Sequence, residues 1–378
     1  MKQDIAVIGC ADYEYRRVFE ATAQAVGLLG GMGAFIKPGM RVIVKANLLK
    51  GNAPEDAVTT HPAVIAAVCR LVKEAGGKAI IADSPGGAAR MDTLEEIYRI
   101  CQMDIAAAES GAELNKDIGG YSAFYPEGLM LKSMELCRYI QDADAIINVA
   151  KLKTHMMMGY TGAVKNLFGV IPGKTKADYH YRINQIDRFA DMLVDLQLFV
   201  KPVLHIIDAV WGMEGEGPSA GKPRFVGCLL AGSNPFALDT AGITLMGIAP
   251  QSIPTVAQAA KRGLCSRLED CTLHGDDLQT FVRRDYDVPA VSGQLAHSLI
   301  PKAFRKFFLR RLRSKPVIIK RACVGCGICV KNCPPKAMVL VAGKPRVDLN
   351  ACIRCYCCHE LCPKKAIRVK NSWMFKLI

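Results

Sequence analysis

The sequence has no apolar run long enough to cross a bilayer. The longest, HPAVIAAVC before Arg70 and AIINVA before Lys151, fall far short of the roughly 18 to 20 residues that a spanning helix needs. A phosphate-binding loop is missing too. No GxxxxGKS/T run occurs, and GLLGGMG at Gly27 to Gly33 lacks the preceding strand that a dinucleotide fingerprint demands. The chain therefore reads as neither an ATPase nor a standard NAD enzyme. The amino-terminal MKQDIAVIGCAD has Asp4 and few apolar residues ahead of Cys10, which suits a first strand and not a lipoprotein signal. Acidic residues are nearly absent from the last quarter. Residues 288–378 hold 19 Lys or Arg against only Asp348 and Glu360, a balance of +17, whereas residues 1–287 hold 30 against 33, or −3. The net charge of +14 thus belongs to the carboxyl-terminal quarter alone.

What is present can fill a sizeable core: 378 residues, 51% of them hydrophobic, allow one large domain and a small one. Through residue 250 or so, strand-like and helix-like stretches alternate. RVIVKANLL, KAIIADSP, DAIINVAKLK, PVLHIIDAVWG and FVGCLLAGS read as buried strands. YRRVFEATAQAVGLL, HPAVIAAVCRLVKEAGG, DRFADMLVDLQLFV, PFALDTAGITLMG and TVAQAAKRG read as helices. Strands this apolar predict an α/β fold, a mostly parallel sheet covered by helices on both faces. In such sheets ligands gather beyond the carboxyl ends of strands. Those ends carry Lys45 and Asn47, Asp83 and Ser84, Lys151 with Lys153 and His155, and Asp208. Lys45, Asn47, Asp83, Lys151 and Lys153 are accordingly candidate cofactor-binding residues.

Three regions follow: an α/β domain at 1–287, a basic linker at 288–316 and a small α+β domain at 317–378. In the linker, Phe304, Phe307, Phe308 and Leu312 recur at helical spacing among Lys302, Arg305, Lys306, Arg310, Arg311 and Arg313. This predicts an amphipathic helix over 302–313. It either docks on the core or meets an anionic membrane surface or an acidic protein partner; nucleic acid is disfavoured because no binding motif accompanies the charge.

Nine of the 16 cysteines lie between Cys323 and Cys362. Cys323, Cys326, Cys329 and Cys333, followed by Pro334, obey C-x2-C-x2-C-x3-C-P. Cys352, Cys355, Cys358 and Cys362, followed by Pro363, obey it again. Zinc sites use two separated C-x2-C pairs instead. The doubled run resembles the bacterial ferredoxin pattern, in which the fourth cysteine of each run ligates the other cluster. That resemblance implies two 4Fe-4S clusters, one on Cys323, Cys326, Cys329 and Cys362 and the other on Cys352, Cys355, Cys358 and Cys333. Gly325 and Gly327 permit the tight turn, and KAMVLV and KAIRV offer a short strand in each half. Cys357 is superfluous to this register and reads as a small side chain beside the cluster. Thiols spaced for metal, and not scattered as a disulfide framework, point to a reducing compartment, the cytoplasm.

VIVKANLL, TTHPAVIAAV, IADSPGG, NVAKLKTHMMMGYTGAVKNLFGVIPG and DAVWGMEGEGPSAGKPR, in this order, resemble the family called domain of unknown function 362. The resemblance spans about residues 5–250 and extends to the cysteine module. It implies an iron-sulfur protein with an electron-transport, oxidoreductase role. Lys151, Lys153, His155, Lys165 and His180 concentrate cations around a Gly-rich loop, suited to an anionic ligand, and GMEGEGPSAGKP at Gly212 to Pro223 reads as a flexible loop or lid. Over a shorter stretch, the order His155, Lys165, His180 is similar to the nickel-pincer lactate racemase family. That likeness would make Lys165 the anchor of a nucleotide-derived cofactor, His180 a metal ligand and His155 an acid or base. The leading expectation is an iron-sulfur electron-transfer protein that passes electrons to an acidic redox partner or to a ligand of the α/β domain. The alternatives are an isomerase or lyase with a lysine-anchored additional cofactor and structural clusters, or an adapter of a redox complex.

Overall fold

The computed structural model describes residues 3–87, 90–264, 267–289 and 314–370. The segment 302–313, expected as a basic helix, lies outside the described residues.

The chain begins with strand β1 (Gln3–Gly9), helix α1 (Tyr15–Gly27), β2 (Arg41–Lys45), α2 (Pro62–Glu74) and β3 (Lys78–Ala82). Helices α3 (Met91–Ile100) and α4 (Met103–Ser110), the short β4 (Glu113–Leu114) and a hairpin of β5 (Gly120–Phe124) and β6 (Ser133–Cys137) come next. Then follow β7 (Ala145–His155), β8 (Gly159–Thr161), α5 (Ala163–Asn166), α6 (Lys176–Arg182), α7 (Ile186–Val200) and β9 (Leu204–Glu214). The α/β part closes with β10 (Lys222–Gly232), α8 (Pro235–Leu245), α9 (Pro254–Lys261) and β11 (Cys271–Gly275).

One sheet runs through it in the order β11-β1-β10-β9-β7-β2-β3-β4, with β8 folded back on β7. The pairs β9/β7, β7/β2, β2/β3 and β3/β4 are parallel, and β10 runs against both of its neighbours. All eleven residues of β7 are buried, as a central strand covered on both faces must be. Side chains alternate as the pleat requires. Val42, Val44, Ile81 and Ile147 pack under α1, α2 and α4, while Ile43, Ile80 and Ile146 face α7. Ile207 and Leu230 lie under α8 on that second side. Proline at the first turn and a side-chain cap start two helices: Pro62 with His61 accepting from the Ala63 N–H, and Pro235 with Asn234 accepting from Phe236 and Ala237. Parallel pairing brings the carboxyl ends of β2, β3, β7 and β9 to one rim.

The cysteine module is a pseudo-symmetric α+β unit. An antiparallel ribbon of β12 (Lys315–Ile318) and the final strand, a hairpin β13 (Met338–Val341) and β14 (Lys344–Val347), and β15 (Ile367–Lys370) frame two cysteine loops. Each loop runs into a one-turn helix, Ile328–Lys331 in the first half and Cys357–Glu360 in the second. The strands expected after each Cys-Pro are β13 and β15. Both loops use left-handed backbone at matching places: Gly325 (φ 72°) and Gly327 (φ 74°) in the first, Arg354 (φ 61°) and Tyr356 (φ 61°) in the second.

Candidate functional site

The module holds a small cavity whose wall includes Cys323, Cys326, Cys329 and Cys362 together with the apolar Pro345 and Ile367. Three of these thiols come from the first run and the fourth from the second. Cys333, left over from the first run, is an electrostatic neighbour of Cys352 and Cys355, and Cys358 is a neighbour of all three. Among the described residues no three or more His, Cys, Asp or Glu converge tightly enough to hold a single metal ion. Four thiols around an apolar cavity are the donor set that a cuboidal iron-sulfur cluster takes. The Ala366 N–H donates to Cys362 Sγ at 3.2 Å, the kind of contact that tunes such a centre.

The second half of the module docks on the carboxyl rim of the large sheet. Lys50 Nζ donates to the Cys362 carbonyl at 3.0 Å, and Ser219 Oγ donates to the Glu360 carbonyl at 2.8 Å. His359, fully buried, has its ring nitrogens 2.6 Å from the Ile367 carbonyl oxygen and 3.1 Å from that of Glu216. The stretch from Gly212 to Pro223, expected as a flexible lid, instead ends β9 and begins β10. Its turn is pinned by Thr154 Oγ1 on the Gly215 carbonyl (2.9 Å) and by Met156 N–H on that of Gly217 (3.1 Å). It contacts the module through Ser219 and Glu216, and none of its residues lines the cleft that opens between rim and module.

Between the rim and the module lies an open cleft of about 740 Å³. Asn47, Asp83, Ser84, Lys165, Phe168 and His180 line one side; Asn332, Cys357, Glu360 and Leu361 line the other. Beneath the floor, Lys45 Nζ pairs with Asp83 Oδ1 at 2.9 Å and donates to Asn166 Oδ1 at 3.1 Å. Lys153 Nζ donates to Asn47 Oδ1 at 2.5 Å and to the Val58 carbonyl at 2.7 Å. Asn47 and Asn148 complete the network through Asn166. A side chain at Gly169 would strike Asp83 and Lys45, so only glycine lets α5 and the following turn close over this pair.

His180 stacks on Phe189 at 4.6 Å, and burial, reinforced by Lys165 and Lys176, pushes its pKa down to about 3. Its imidazole is neutral at physiological pH. His155 sits behind Glu360, its Nδ1 accepting from Met157 and Met158 N–H and its Nε2 3.3 Å from Glu360 Oε1; burial drives its pKa well below the ordinary value. Lys176, bonded to the Ser84 and Ile171 carbonyls, is lowered to about 8 by burial.

Of the sequence candidates, Asn47, Asp83, Lys165 and His180 line the cleft; Lys45, Lys153 and His155 lie in the layer behind it. Lys151 lies elsewhere. Its ammonium is 2.9 Å from Asp208 Oδ2 and 2.6 Å from the Tyr13 hydroxyl, which donates to Asp208 Oδ1 at 2.7 Å under a stacked His61 ring. Lys151 pairs with Asp208 and Lys153 with Met213, so the β7/β9 register breaks between the two lysines, with the extra residues on β9. Sequence reasoning missed Asn166, Lys176 and Glu360. Glu360 carried a signal: it is one of only two acids in a segment of 19 bases. Cys357 is 7% exposed and forms part of the cleft wall beside the second set of thiols.

Residues 315–363 match a 4Fe-4S dicluster domain, so the chain is an iron-sulfur protein. A thylakoid-associated protein of Synechocystis sp. is 34% identical over 318 residues, covering 82% of this chain and 96% of that protein. The lactate racemase apoprotein from Thermoanaerobacterium thermosaccharolyticum aligns at 14% identity with a TM-score of 0.38, over 65% of this chain and 58% of that one. Among the described residues no helix is long and apolar enough to cross a membrane. Residues 42–244 match the family described as Domain of unknown function (DUF362), and with that match and the Synechocystis relative the chain belongs to that family.

Proposed function

We propose that this chain is an electron-transfer protein with two 4Fe-4S clusters, one held by Cys323, Cys326, Cys329 and Cys362 and the other by Cys352, Cys355, Cys358 and Cys333. It exchanges electrons with a protein partner at the outer half of the module and with a ligand in the cleft at the inner half. The observation that carries this reading is the single cavity walled by cysteines of both runs. When bound, such clusters supply reversible one-electron transfer. The protein's own residues set the two ends. On the outer side Cys326 is exposed, and Val324 (62%), Val339, Leu340 and Val341 stand open to solvent amid Lys320, Arg321, Lys331 and Lys336. An apolar spot within a cationic surface suits an acidic partner, with binding that weakens in salt. On the inner side, Cys357 and Glu360 form the cleft wall next to the second set of thiols. Reduced thiols suit a cytoplasmic setting.

The test is anaerobic iron and sulfide counting with a reductive titration followed by electron paramagnetic resonance. About eight irons per chain, four for each cluster, and two reducible centres are expected. Stoichiometric zinc, or iron that takes up no electrons, would sink the reading. Lys165 supports a second one, an isomerase or lyase whose cofactor is anchored in the same cleft. A covalent adduct on Lys165 in the intact mass of the purified protein would favour it.

A further inference from the structure

Five lysines surround the cleft, and four of them are satisfied. Lys45 has Asp83 and Asn166, Lys153 has Asn47 and the Val58 carbonyl, and Lys176 has two carbonyls. Lys174, on the rim, reaches Glu135 at 3.9 Å. Lys165 is different. Its ammonium faces the cleft and, among the described residues, has no hydrogen-bond acceptor and no carboxylate within ion-pair distance; the Phe168 ring lies at 5.4 Å, and Glu360 across the cleft acts on it only at longer range. A desolvated ammonium whose N–H groups have no acceptor is costly. Glu360, the carboxylate on the facing wall, has Oε1 turned to His155 Nε2 at 3.3 Å. His180 is 5% exposed and lines the same space, and among the described residues neither of its ring nitrogens has a hydrogen-bond partner. Two polar groups without hydrogen-bond partners on one wall thus look into this open cleft. The rest of the surface is in good part apolar or bare: Phe168, Leu49, Leu361 and the glycines at 86 and 87, of which Gly87 has nothing within 4 Å of where a Cβ would stand.

We propose that the cleft binds a small organic monocarboxylate, its carboxylate on Lys165 Nζ, its apolar body along Phe168 and Leu361, and a hydrogen-bonding group within reach of His180. The donors left free are one ammonium and one imidazole: Lys165 Nζ suits a single carboxylate, whereas a phosphate would ask for a second unengaged lysine, and the ammonium groups of Lys45, Lys153 and Lys176 already donate elsewhere. Burial, and after it the charge of Lys165, lowers the protonation of Lys153, His155 and His180. This names the ligand class for the cleft invoked above and rests on the electron-transfer reading only for what happens to the ligand once bound.

The experiment is anaerobic titration calorimetry of the full-length, iron-loaded chain with propionate, benzoate and inorganic phosphate as separate probes. A monocarboxylate is expected to bind one per chain and phosphate not to. Lys165→Met should weaken binding about ten- to hundredfold, the loss of one charge-assisted contact, while Lys165→Arg keeps most of it. Should Lys165→Met not fold, protection of Lys165 from amine acetylation by benzoate in the wild type, read by peptide mass, gives the same answer. Silence from both carboxylates, binding of phosphate alone, or unchanged affinity in Lys165→Met would each overturn the proposal. Iron counted on the same samples keeps the two ideas apart. Carboxylate binding by a chain that holds no iron would leave this inference standing and sink electron transfer; a full iron complement with no carboxylate binding would do the reverse.

Discussion

The two halves of the cysteine module share one spacing and live in opposite surroundings. Two residues after Cys326 stands Ile328, 36% exposed; two residues after Cys355 stands Cys357, 7% exposed and in the cleft wall. The first loop turns on two glycines, whereas the second holds Arg354 and Tyr356 in the same left-handed backbone, a conformation that costs non-glycine residues about 1 kcal/mol or more. Tyr356 offsets that cost by burying its ring and donating to the Ser314 carbonyl at 3.0 Å. The second half then adds Glu360, His359 and Leu361, each of which touches the α/β domain. Repetition thus specifies the cradle, and divergence at the positions between the cysteines specifies which half docks on the α/β domain and which faces solvent.

The comparison breaks most completely if the halves are independent sites. Crossed pairing predicts that Cys323→Ala and Cys362→Ala damage the same centre, so that each single variant, and the two combined, lose about four of about eight irons. Cys362→Ala combined with Cys352→Ala should lose nearly all of it. Iron per chain decides: if that last pair keeps half the iron while Cys323→Ala with Cys362→Ala loses everything, the crossing is wrong and each run holds its own cluster.

Docking of the inner half gives the next largest effect. A side chain at Gly86 would come within 2.9 Å of Leu361 Cδ2. Gly86→Val should therefore wedge the module from the sheet rim and destabilise the protein by about 1 to 3 kcal/mol, as overpacking does. Val324→Ala on the exposed outer half should stay within about 0.5 kcal/mol. Thermal melting at constant iron content separates the two, and equal effects would mean that the inner half is not held by this contact.

Much of this architecture was legible before any coordinates, because buried parallel strands must be apolar throughout and must turn polar where they emerge. RVIVK, KAIIA and the run from Ala145 announced β2, β3 and β7, and the polar residues at their ends include Asn47 and Asp83 of the cleft. The rest depends on chain segments far apart in sequence. Lys50 meets Cys362 across 312 positions, and neither residue's neighbours hint at the other. Lys151 and Lys153 look equivalent on paper; the first meets Asp208 of β9 in register, and the second, beyond the point where β9 bulges away, meets Asn47. The loop from Gly212 reads as mobile for its glycines, yet close backbone approach, of Gly212 to Leu152 and of Gly217 to Thr154, is what those glycines serve.

The smallest expected effect concerns acid. His180 has a folded pKa of about 3 against an ordinary value of 6.5, chiefly through burial. The unfolded chain then binds the extra proton first, so the contribution of His180 is complete above pH 6.5 and declines as pH falls from 6.5 toward 3. At pH 6 the linkage amounts to about 0.8 kcal/mol for one such histidine. The loss of melting temperature between pH 8 and pH 6 should accordingly be shallower in His180→Gln than in the wild type. The range stops at pH 6 so that unfolding is read before acid attacks iron and sulfide. His180 belongs to the inner wall, and among the described residues the outer half of the module has no buried histidine to match it, so this part of the acid response belongs to the inner half alone. An identical slope in both proteins would mean that the ring is solvated and takes no part in the cleft.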